Sequence, residues 1–424
     1  MIIKVVTLGC KVNQCESASI VSTLKKFGYD ASEGLQPADV YILNTCSVTA
    51  EADRKSRQYI SKMRKLNKDC RIIVVGCSSQ NSSGSFSKEN VFAIGGTTEK
   101  STFVLECINK LYQNNHYNTL SDIILNEKTP QSGGEYDYEE YPTYDRTRAY
   151  VKIQDGCNRF CSYCIIPYLR GRSRSRSVQS IAEECRNVES KEIVLVGIDI
   201  SAYGKDLGIS LVDLISALKD IKPRKRLGSL ECEVVDERLL EAMSKGDFCP
   251  HFHLSLQSGS NDVLRSMNRH YDTSTYLQKT ELIRKYFPLA GITTDVIVGF
   301  PTETEQLFEE SCAFIERCEF SDIHVFPYSA RKGTAAYKKY GTASVYAVDE
   351  RVDKLLEIKH AARKAFLEKN IGTVADVYTE TRQGALGVGY TPNYIKVYSN
   401  ARIGDIQKLR LIKTLDDGLF GDPI

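Results

Sequence analysis

Residues 148–164 read RAYVKIQDGCNRFCSYC, an apolar run typical of a β-strand followed at once by three closely spaced cysteines. Cys157, Cys161 and Cys164 form a C-x3-C-x2-C pattern, and three thiolates at this spacing can hold three irons of a [4Fe–4S] cluster. The fourth iron then stays open to a small molecule. A structural zinc normally takes a fourth protein ligand, but the next residues, IIPYLRGR, contain no cysteine or histidine. The pattern therefore favours a cluster with one open iron, with structural zinc as the alternative.

Strand-like runs alternate with helical stretches beyond this segment. With the first run included, we predict six strands: RAYVKIQ, KEIVLVGI, a weak SLECEVV, HFHLSLQ, ITTDVIVGF and SDIHVFPYS. Six strands with crossover helices indicate an α/β fold with a parallel, barrel-like sheet. A long amphipathic helix is predicted over 348–369. Beyond Gly372, short strands with turns (TVADVYTE, ALGVGY, YIKVYS and QKLRLIK) predict a small β-barrel.

The N-terminal residues show a second α/β rhythm. Strands are predicted at IIKVVTLG, VYILNTC and RIIVVGC, with a helix over 17–27, which is typical of an open α/β sheet. Cys10, Cys46 and Cys77 each follow a strand, and the carboxyl ends of parallel strands meet in one crevice. We therefore expect these three cysteines to lie close together.

The domain plan follows from these patterns. Residues 116–142 lose the strand–helix rhythm and are acidic and rich in turn residues, so we interpret them as a linker. The predicted domains are 1–115, 143–371 and the β-barrel 372–424.

Composition excludes several classes of protein. The chain has 424 residues, of which 42% are hydrophobic and 26% charged, so disordered and fibrous chains are excluded. No apolar run is long enough to span a bilayer, and the start MIIKVVTLGC does not resemble a signal peptide. We expect a cytoplasmic protein without a membrane partner, in which 14 cysteines indicate metal or redox chemistry.

The cysteine loop after the first strand resembles the radical S-adenosylmethionine (SAM) superfamily. Five motifs resemble its methylthiotransferases, in order along nearly the whole chain: TLGCKVNQCE, NTCSVTAEADRKSRQ, DGCNRFCSYCIIP, HFHLSLQSGSNDVLRSMNRHY and GITTDVIVGFPTETE. This resemblance implies a radical-SAM partial (β/α)6 barrel and a C-terminal TRAM β-barrel that contacts RNA. It also implies two [4Fe–4S] clusters, with SAM on the open iron of the first and with Cys10, Cys46 and Cys77 as ligands of the second.

The resemblance further implies SAM contacts at the strand ends of the barrel, for each of which a turn or packing role is the alternative. The candidate residues are Tyr163, Gly197, Asp199, Glu231, Gln257, Ser258, Val298 and Phe300. Glu231 lies in a segment that lacks the proline of the family's Ser-x-Glu-Pro motif.

Contacts with RNA are expected from local patches, because the net charge is only +2. Arg170, Arg172, Arg174 and Arg176 follow the cysteine loop and are predicted to bind phosphates; the alternatives are a solvated loop or pairing of one arginine with SAM. The basic run 222–226 is interpreted as solvated surface. The tyrosines of the β-barrel are candidates for stacking with bases, or else core residues: Tyr378, Tyr390, Tyr394 and Tyr398.

The function implied by the resemblance is methylthiolation of tRNA. The segment LGCKVNQ (8–14) and the segment HVFPYSARKGTAA resemble the branch that modifies C2 of N6-threonylcarbamoyladenosine next to the anticodon. The alternatives are isopentenyladenosine in tRNA, an aspartate of a ribosomal protein, and a non-catalytic iron–sulfur protein that binds RNA or senses iron. Ser329, Arg331 and Lys332 are candidates for binding the threonyl carboxylate, or else a solvated loop. Partners are the tRNA anticodon stem-loop, SAM and an electron donor such as flavodoxin or ferredoxin.

Overall fold

The structure is a computed structural model that describes residues 1–87, 89, 91–113, 124–125, 136, 140–142, 147–343, 345 and 347–424. These residues form an N-terminal parallel sheet, a central arc of parallel strands and a C-terminal closed barrel. The predicted α/β class and its three-part architecture are confirmed. Within the described part of the chain, no helix has both the length and the apolar character that crossing a membrane requires.

The N-terminal sheet has six parallel strands in the spatial order β2-β1-β3-β4-β5-β6. Its strands are β1 (Ile2–Thr7), β2 (Asp30–Glu33), β3 (Val40–Thr45), β4 (Arg71–Gly76), β5 (Ala93–Ile94) and β6 (Ile124–Leu125). Its helices are α1 (Lys11–Lys26), α2 (Ala50–Leu66), α3 (Cys77–Asn81), α4 (Ser83–Ser87) and α5 (Lys100–Gln113). Helices α1 and α5 cover one face, and α2 covers the other. Strands β3 and β4 are thus buried on both faces, which explains their continuous apolar sequence.

The predictions for this sheet are confirmed for β1, β3 and β4. Helix α1 begins at Lys11 rather than at Ser17, because its N-cap residue is Cys10, which gives no side-chain capping bond and therefore no capping signal in the sequence. Strand β6 falls inside the segment 116–142, so the prediction of a linker is wrong at Ile124–Leu125. Most of that segment lies outside the described residues.

The central arc consists of parallel strands arranged as a partial barrel. Its strands are β7 (Arg148–Lys152), β10 (Glu192–Val196), β11 (Arg224–Leu227), β12 (Ser229–Leu230), β13 (His251–Leu254), β14 (Gly291–Val298) and β15 (Asp322–Pro327). Strands β11 and β12 are two pieces of one strand that is interrupted at Gly228. In the described residues neither β7 nor β15 pairs with a strand on its outer edge, so the arc is open. A short antiparallel pair, β8 (Gln154–Asp155) with β9 (Arg174–Ser175), lies next to β7.

Helices pack against the outside of this arc and form the largest core of the protein. They are α7 (Val178–Arg186), α8 (Leu211–Ala217), α9 (Glu237–Lys245), α10 (Asn261–Ser266), α11 (Thr273–Tyr286), α12 (Glu305–Arg317) and α14 (Val348–Lys369). Two further short helices, α6 (Ile166–Arg170) and α13 (Ala335–Tyr340), belong to smaller apolar clusters. The predicted long helix is confirmed as α14. Side-chain N-caps mark the starts of six of the others, at Ser177, Ser210, Asp236, Asp272, Thr304 and Thr334.

The third strand of the arc differs from the prediction. The weak strand predicted at 229–235 is mostly a 3-10 turn at Cys232–Val234, and the longer strand segment is the basic run RKRL of β11. The interpretation of 222–226 as solvated surface is wrong for Arg224, Lys225 and Arg226, which are buried. The Glu192 carboxylate on the neighbouring strand makes the burial of Arg224 and Arg226 possible, and Lys225 donates to the carbonyls of Ile221 and Pro223.

Glu192 on β10 is the centre of a buried ion cluster. Its carboxylate accepts hydrogen bonds from Arg224 Nε at 2.6 Å and Arg226 Nε at 3.1 Å, and Arg148 Nε lies 3.1 Å from it. The side chain of Glu192 is fully buried. The guanidinium groups of Arg224 and Arg226 also donate to three carbonyls of the C-terminal barrel, those of Asp376, Tyr390 and Pro392. The ion cluster therefore joins the central arc to the barrel.

The C-terminal barrel is closed by five strands. They are β16 (Val374–Gln383), β17 (Leu386–Tyr390), β18 (Lys396–Ser399), β19 (Ile406–Leu415) and β20 (Gly418–Pro423). The pairs are antiparallel except β18–β20, which is parallel. Strand β20 is not predicted, because two glycines and a proline give its sequence the character of a turn.

We predict that ionised Glu192 stabilises the fold at neutral pH and that this stabilisation is lost in acid. Burial alone would raise the pKa of Glu192, but Arg226 and Arg224 outweigh it and lower the pKa to about 2. Glu192→Gln should therefore cost roughly 3 kcal/mol at pH 7. This difference between wild type and variant should shrink as the pH falls from about 4.5, the unfolded-state pKa, toward 2. Urea unfolding followed by circular dichroism measures it, since the chain has no tryptophan. The exposed Glu241→Gln is the control; a pH-independent difference would contradict the assignment.

Candidate active site

The loop that carries Cys157, Cys161 and Cys164 is fixed at its start by the β8–β9 pair. Gly156 has a φ of +72°, and a Cβ at this position would lie 2.0 Å from the carbonyl oxygen of Arg172. The loop can approach the returning chain only because this residue is a glycine. The Cys157 N–H donates to Gly171 O at 3.1 Å, which closes the loop onto the end of α6.

The three thiols of this loop converge. Burial and the neighbouring Cys161 and Cys157 thiols raise the pKa of Cys164 to about 12. Burial and the Asp199 carboxylate raise the pKa of Cys157 to about 12 as well. Without a metal the thiols of Cys157 and Cys164 are therefore neutral at pH 7. Metal binding would supply the positive charge that favours thiolates.

Cys10, Cys46 and Cys77 come together at the carboxyl ends of β1, β3 and β4, as the sequence predicts. A Cβ on Gly9 would lie 2.8 Å from Cys46 Sγ, so the loop that leads to Cys10 runs directly over that thiol. Burial raises the pKa of the Cys46 thiol to about 12, and the Cys77 and Cys10 thiols contribute to this shift. The site lies where the strand order reverses between β1 and β3, the usual ligand position in such sheets.

The spacing of both cysteine groups suits a cluster rather than one ion. Sulfur ligands of a tetrahedral zinc at about 2.3 Å lie about 3.8 Å from one another. Among the described residues, neither cysteine triad has its three sulfurs within 4.8 Å of one another. The arrangement therefore gives no support to a structural zinc, whereas a cube of four irons accepts a wider set of thiolates.

Arg170 connects the two cysteine groups. It ends α6, six residues after Cys164, and its side chain is 1% exposed. Its Nε donates to Cys77 Sγ at 3.3 Å. Its other nitrogens donate to three side chains: Glu16 at 2.8 Å, Asn13 at 2.9 Å and Asp155 at 3.0 Å. A residue of the loop region after Cys164 thus forms a hydrogen bond to a cysteine of the N-terminal sheet.

Two lysines complete this buried charge network. Lys100 and Lys152 both pair with Glu16, and Lys152 also lies 2.7 Å from Asp155. Burial alone would raise the pKa of Glu16, but Arg170 and the lysines hold it well below its usual range. The network of three cations and two carboxylates has one positive charge in excess, beside Cys77. A thiolate-ligated cluster would balance that charge.

The prediction that the arginines of 170–176 bind phosphates is wrong for three of the four. Arg170, Arg174 and Arg176 are buried. Arg174 donates to the carbonyls of Arg170 and Arg172, and Arg176 pairs with Glu184. Only Arg172 is exposed, and its guanidinium lies 4.6 Å from the centre of the Phe160 ring. A run of arginines in the sequence cannot reveal which carboxylates, from other parts of the chain, neutralise it in the fold.

The tyrosines of the C-terminal barrel are not open stacking surfaces. Tyr378 and Tyr398 are buried. Tyr390 and Tyr394 stack on each other with ring centres 4.9 Å apart, and Arg148 lies over both rings. These aromatic rings serve the contact between the barrel and the central arc, so the alternative of a structural role is correct.

The predicted SAM residues lie at the carboxyl ends of the arc strands, as expected. Asp199 accepts a hydrogen bond from Arg159 Nε at 2.9 Å. Gln257 has a φ of +71° and pairs through its backbone with Asp295 and Ile297. Among the remaining candidates, a Cβ on Gly197 would lie 2.7 Å from Ile200, and three side chains are buried, those of Ser258, Val298 and Phe300.

Glu231 positions Arg269, which lies in the motif HFHLSLQSGSNDVLRSMNRHY but is not one of the predicted site residues. Arg269 pairs with Glu231, and its NH1 donates to Cys161 Sγ at 3.1 Å. Arg159 also lies 3.7 Å from the Glu231 carboxylate. Arg269 is 38 residues from Glu231 and 108 residues from Cys161, so only the fold brings these groups together. Tyr163 packs beside them, in an apolar group with Met267.

The predicted substrate pocket at Ser329, Arg331 and Lys332 serves another purpose. Arg331 is buried and pairs with Asp53 of α2, and Ser329 accepts a hydrogen bond from the Ala50 N–H. Arg331 therefore holds the N-terminal domain against the end of β15 and is not a free cation for substrate. Lys332 is exposed.

A polar triad lines the open interior of the arc. Alternate residues of β13, β14 and β15 pack against the outer helices, so His253, Asp295 and His324 point to the opposite, inner face. The Asp295 carboxylate lies 3.3 Å from His253 Nε2 and 3.1 Å from His324 Nδ1. Each of them stands between two core-facing residues of its strand, and this alternation is the sequence signal that could have revealed them.

Two family profiles match the chain. The profile described as "Radical SAM superfamily" covers residues 151–315, and the one described as "Uncharacterized protein family UPF0004" covers residues 3–95.

Curated relatives match almost the entire chain. Threonylcarbamoyladenosine tRNA methylthiotransferase MtaB of Bacillus subtilis is 34% identical, with 96% of this chain and 93% of the relative covered. The protein of the same name from Thermotoga maritima is also 34% identical, with coverage of 99% and 96%. The chain belongs to the methylthiotransferase family. A further relative of this methylthiotransferase is the tRNA-2-methylthio-N(6)-dimethylallyladenosine synthase of Bacillus subtilis, which is 32% identical with 88% and 75% covered.

Solved structures agree with this fold. The radical SAM methyltransferase TsrM of Kitasatospora setae, with cobalamin and a [4Fe–4S] cluster bound, superposes with a TM-score of 0.55 at 11% identity. The alignment covers 77% of the methylthiotransferase chain and 74% of TsrM. The cobalamin-dependent radical enzyme OxsB gives a TM-score of 0.51 at 14% identity, with 85% and 56% covered. At these identities the likeness concerns the fold alone.

We predict that Arg170→Ala destabilises this methylthiotransferase by about 3–5 kcal/mol, because Glu16 and Asp155 would stay buried with less compensation. Urea unfolding followed by circular dichroism measures the loss. The matched control is Arg172→Ala, two residues away and exposed, which should change stability by no more than about 0.5 kcal/mol. Equal effects of the two substitutions would show that the buried network does not stabilise the fold.

Proposed function

We propose that this enzyme adds a methylthio group to C2 of N6-threonylcarbamoyladenosine next to the anticodon of tRNA, giving 2-methylthio-N6-threonylcarbamoyladenosine. The observation that carries the proposal is the 34% identity, over 96–99% of the chain, to two proteins named for this activity. Because tRNA is the substrate, we place the reaction in the cytoplasm.

The cofactors of the family are two [4Fe–4S] clusters and SAM, and both cysteine groups fit a cluster. Cys157, Cys161 and Cys164 would hold the first cluster with one iron open to SAM, while Cys10, Cys46 and Cys77 would hold the second. When bound, the first cluster with SAM supplies a 5′-deoxyadenosyl radical for an unactivated C–H bond, and the second supplies the sulfur. The electron would come from a small redox protein such as flavodoxin or ferredoxin.

The chain places one charged hydrogen-bond donor on a sulfur of each cysteine group. Arg269, held by Glu231, donates to Cys161, and Arg170, held by Glu16 and Asp155, donates to Cys77. Hydrogen bonds to cluster sulfurs raise the reduction potential and orient the ligands. These arginines are positioning residues for the cysteines.

The N-terminal domain also excludes water from one side of the arc. Val12 and Cys15 of α1 pack against Val194 and Val196, on the inner face of β10. Exclusion of water protects reactive intermediates from side reactions. The open part of the interior is left for the substrate.

The substrate adenosine would enter this interior from the carboxyl ends of the strands. Inside the arc, His253, Asp295 and His324 offer donors and acceptors to the polar threonylcarbamoyl group, which carries a carboxylate and a hydroxyl. An isopentenyl group would instead require apolar walls. We assign RNA binding in part to the C-terminal barrel, as a TRAM-like domain.

The second candidate substrate is isopentenyladenosine in tRNA. It is favoured by the 32% identity to the dimethylallyladenosine synthase of Bacillus subtilis. That match covers less of both chains than the matches to the threonylcarbamoyl enzymes do.

We predict that the reconstituted enzyme modifies tRNA bearing threonylcarbamoyladenosine and gives little product with tRNA bearing isopentenyladenosine. The reason is the polar character of the interior around Asp295. Mass spectrometry of nucleosides after reaction with SAM and dithionite measures both products. A preference for the isopentenyl form would overturn the substrate assignment but not the reaction class.

The two cysteine groups should have separable roles. Replacement of Cys157, Cys161 and Cys164 by Ala should halve the iron content and abolish formation of 5′-deoxyadenosine from SAM. Replacement of Cys10, Cys46 and Cys77 should also halve the iron, yet leave SAM cleavage measurable while product formation on tRNA disappears. The matched control is Cys70→Ala, a cysteine outside both groups. Full iron content in either triple variant would show that its cysteines are not ligands.

A further inference from the structure

Helix α2 carries an unusual concentration of positive charge. Between residues 54 and 68 the chain has seven basic residues and no Asp or Glu: Arg54, Lys55, Arg57, Lys62, Arg64, Lys65 and Lys68. The net charge of the chain is +2, so without these seven charges it would be −5. This stretch, on one helix and the turn after it, therefore carries more positive charge than the net charge of the whole chain.

The basic side chains lie on the outer face of α2. Ser56, Ile60 and Met63 form its buried face against the N-terminal sheet. Four lysines are exposed, and none of them has a carboxylate within ion-pair distance among the described residues: Lys55, Lys62, Lys65 and Lys68. This differs from the arginines of 170–176, three of which are neutralised or enclosed by neighbouring groups.

The start of α2 lies at the mouth of the active site. Cys46 precedes the helix by four residues, and the N–H of Ala50 donates to Ser329 at the carboxyl end of β15. The Asp53–Arg331 pair fixes the same contact. A helix of 17 residues is about 25 Å long, so its basic face runs from the opening of the arc outward over the N-terminal domain.

We infer that the outer face of α2 binds the phosphodiester backbone of the RNA substrate and guides the modified nucleotide into the arc. This inference rests on the proposed function, which makes tRNA the substrate. Lysines along a rod match the regular negative charge of a nucleic-acid backbone, which provides most of the affinity in such complexes. The C-terminal barrel, with seven basic and seven acidic residues from 366 to 424, cannot supply that charge.

An acidic electron donor is the other anionic partner that could use this face. Protein interfaces are depleted in lysine and have an apolar or aromatic centre. On α2 only Leu66, 41% exposed, is a large exposed hydrophobic residue, and it lies at the end of the helix. The composition of the face therefore favours RNA.

The test removes three charges far from the cysteines. The variant Lys62→Ala/Lys65→Ala/Lys68→Ala is compared with Lys245→Ala/Lys285→Ala/Lys364→Ala, which removes three lysines of the central helices that are 72–75% exposed. Fluorescence anisotropy measures the Kd for an anticodon stem-loop with threonylcarbamoyladenosine over a range of salt concentrations. The α2 variant should bind about tenfold more weakly, and its log K against log salt slope should be flatter by about 0.7–0.9 per lost contact. The control should bind as the wild type does.

Further measurements make the outcome unambiguous. Formation of 5′-deoxyadenosine with dithionite and no RNA should be unchanged in both variants, which shows that they fold. The variant Lys62→Arg/Lys65→Arg/Lys68→Arg should retain the affinity and salt dependence of the wild type. Unchanged RNA affinity and an unchanged slope in the alanine variant would overturn the inference. If, in addition, only reduction by flavodoxin became slower, the face would bind the electron donor instead of RNA. Absence of methylthiolated product with the wild type would refute the proposed function separately, because binding is measured independently of turnover.

Discussion

Arg170 lies among Glu16, Asp155 and Asn13 in a region closed to water, with Cys77 at hydrogen-bond distance. Moving charges out of water costs several kcal/mol per ion, so such a group is stable only when its partners are all in place. Here the partners come from α1 of the N-terminal sheet and from the segment before the cysteine loop of the central arc. The relative position of the two cysteine groups therefore depends on this network, since neither domain completes it alone.

This dependence has a chemical consequence. Sulfur transfer and radical formation must occur at one nucleotide, so the two cysteine groups have to face the same space. Arg170 holds them together on one side, and the contacts of Arg331 and Ser329 with α2 hold the N-terminal domain against the end of β15 on the other. Between these two contacts lies the open interior with His253, Asp295 and His324. The mouth of this interior is bordered by the N-terminal end of α2.

The same physical rule, that a buried cation needs a carboxylate, explains the attachment of the C-terminal barrel. Glu192 allows Arg224 and Arg226 to lie within the sheet, and their remaining N–H groups reach carbonyls of the barrel. Tyr390 and Tyr394 stack against Arg148 at this junction. Aromatic and basic residues that would suit RNA in isolation thus join domains, whereas α2 carries a group of exposed lysines.

The sequence by itself determined the cysteine ligand candidates, most strands of the arc and the long helix α14, because ligand spacing and hydrophobic periodicity are local properties. It also placed Cys10, Cys46 and Cys77 together, since parallel strands end at one edge of a sheet. Only the tertiary structure decided which arginines are free. Glu16 compensates the charge of Arg170, Glu192 that of Arg226, and Asp53 that of Arg331. Each carboxylate is distant in the chain from its arginine. Burial of a long charged side chain depends on such partners, and no local pattern records them.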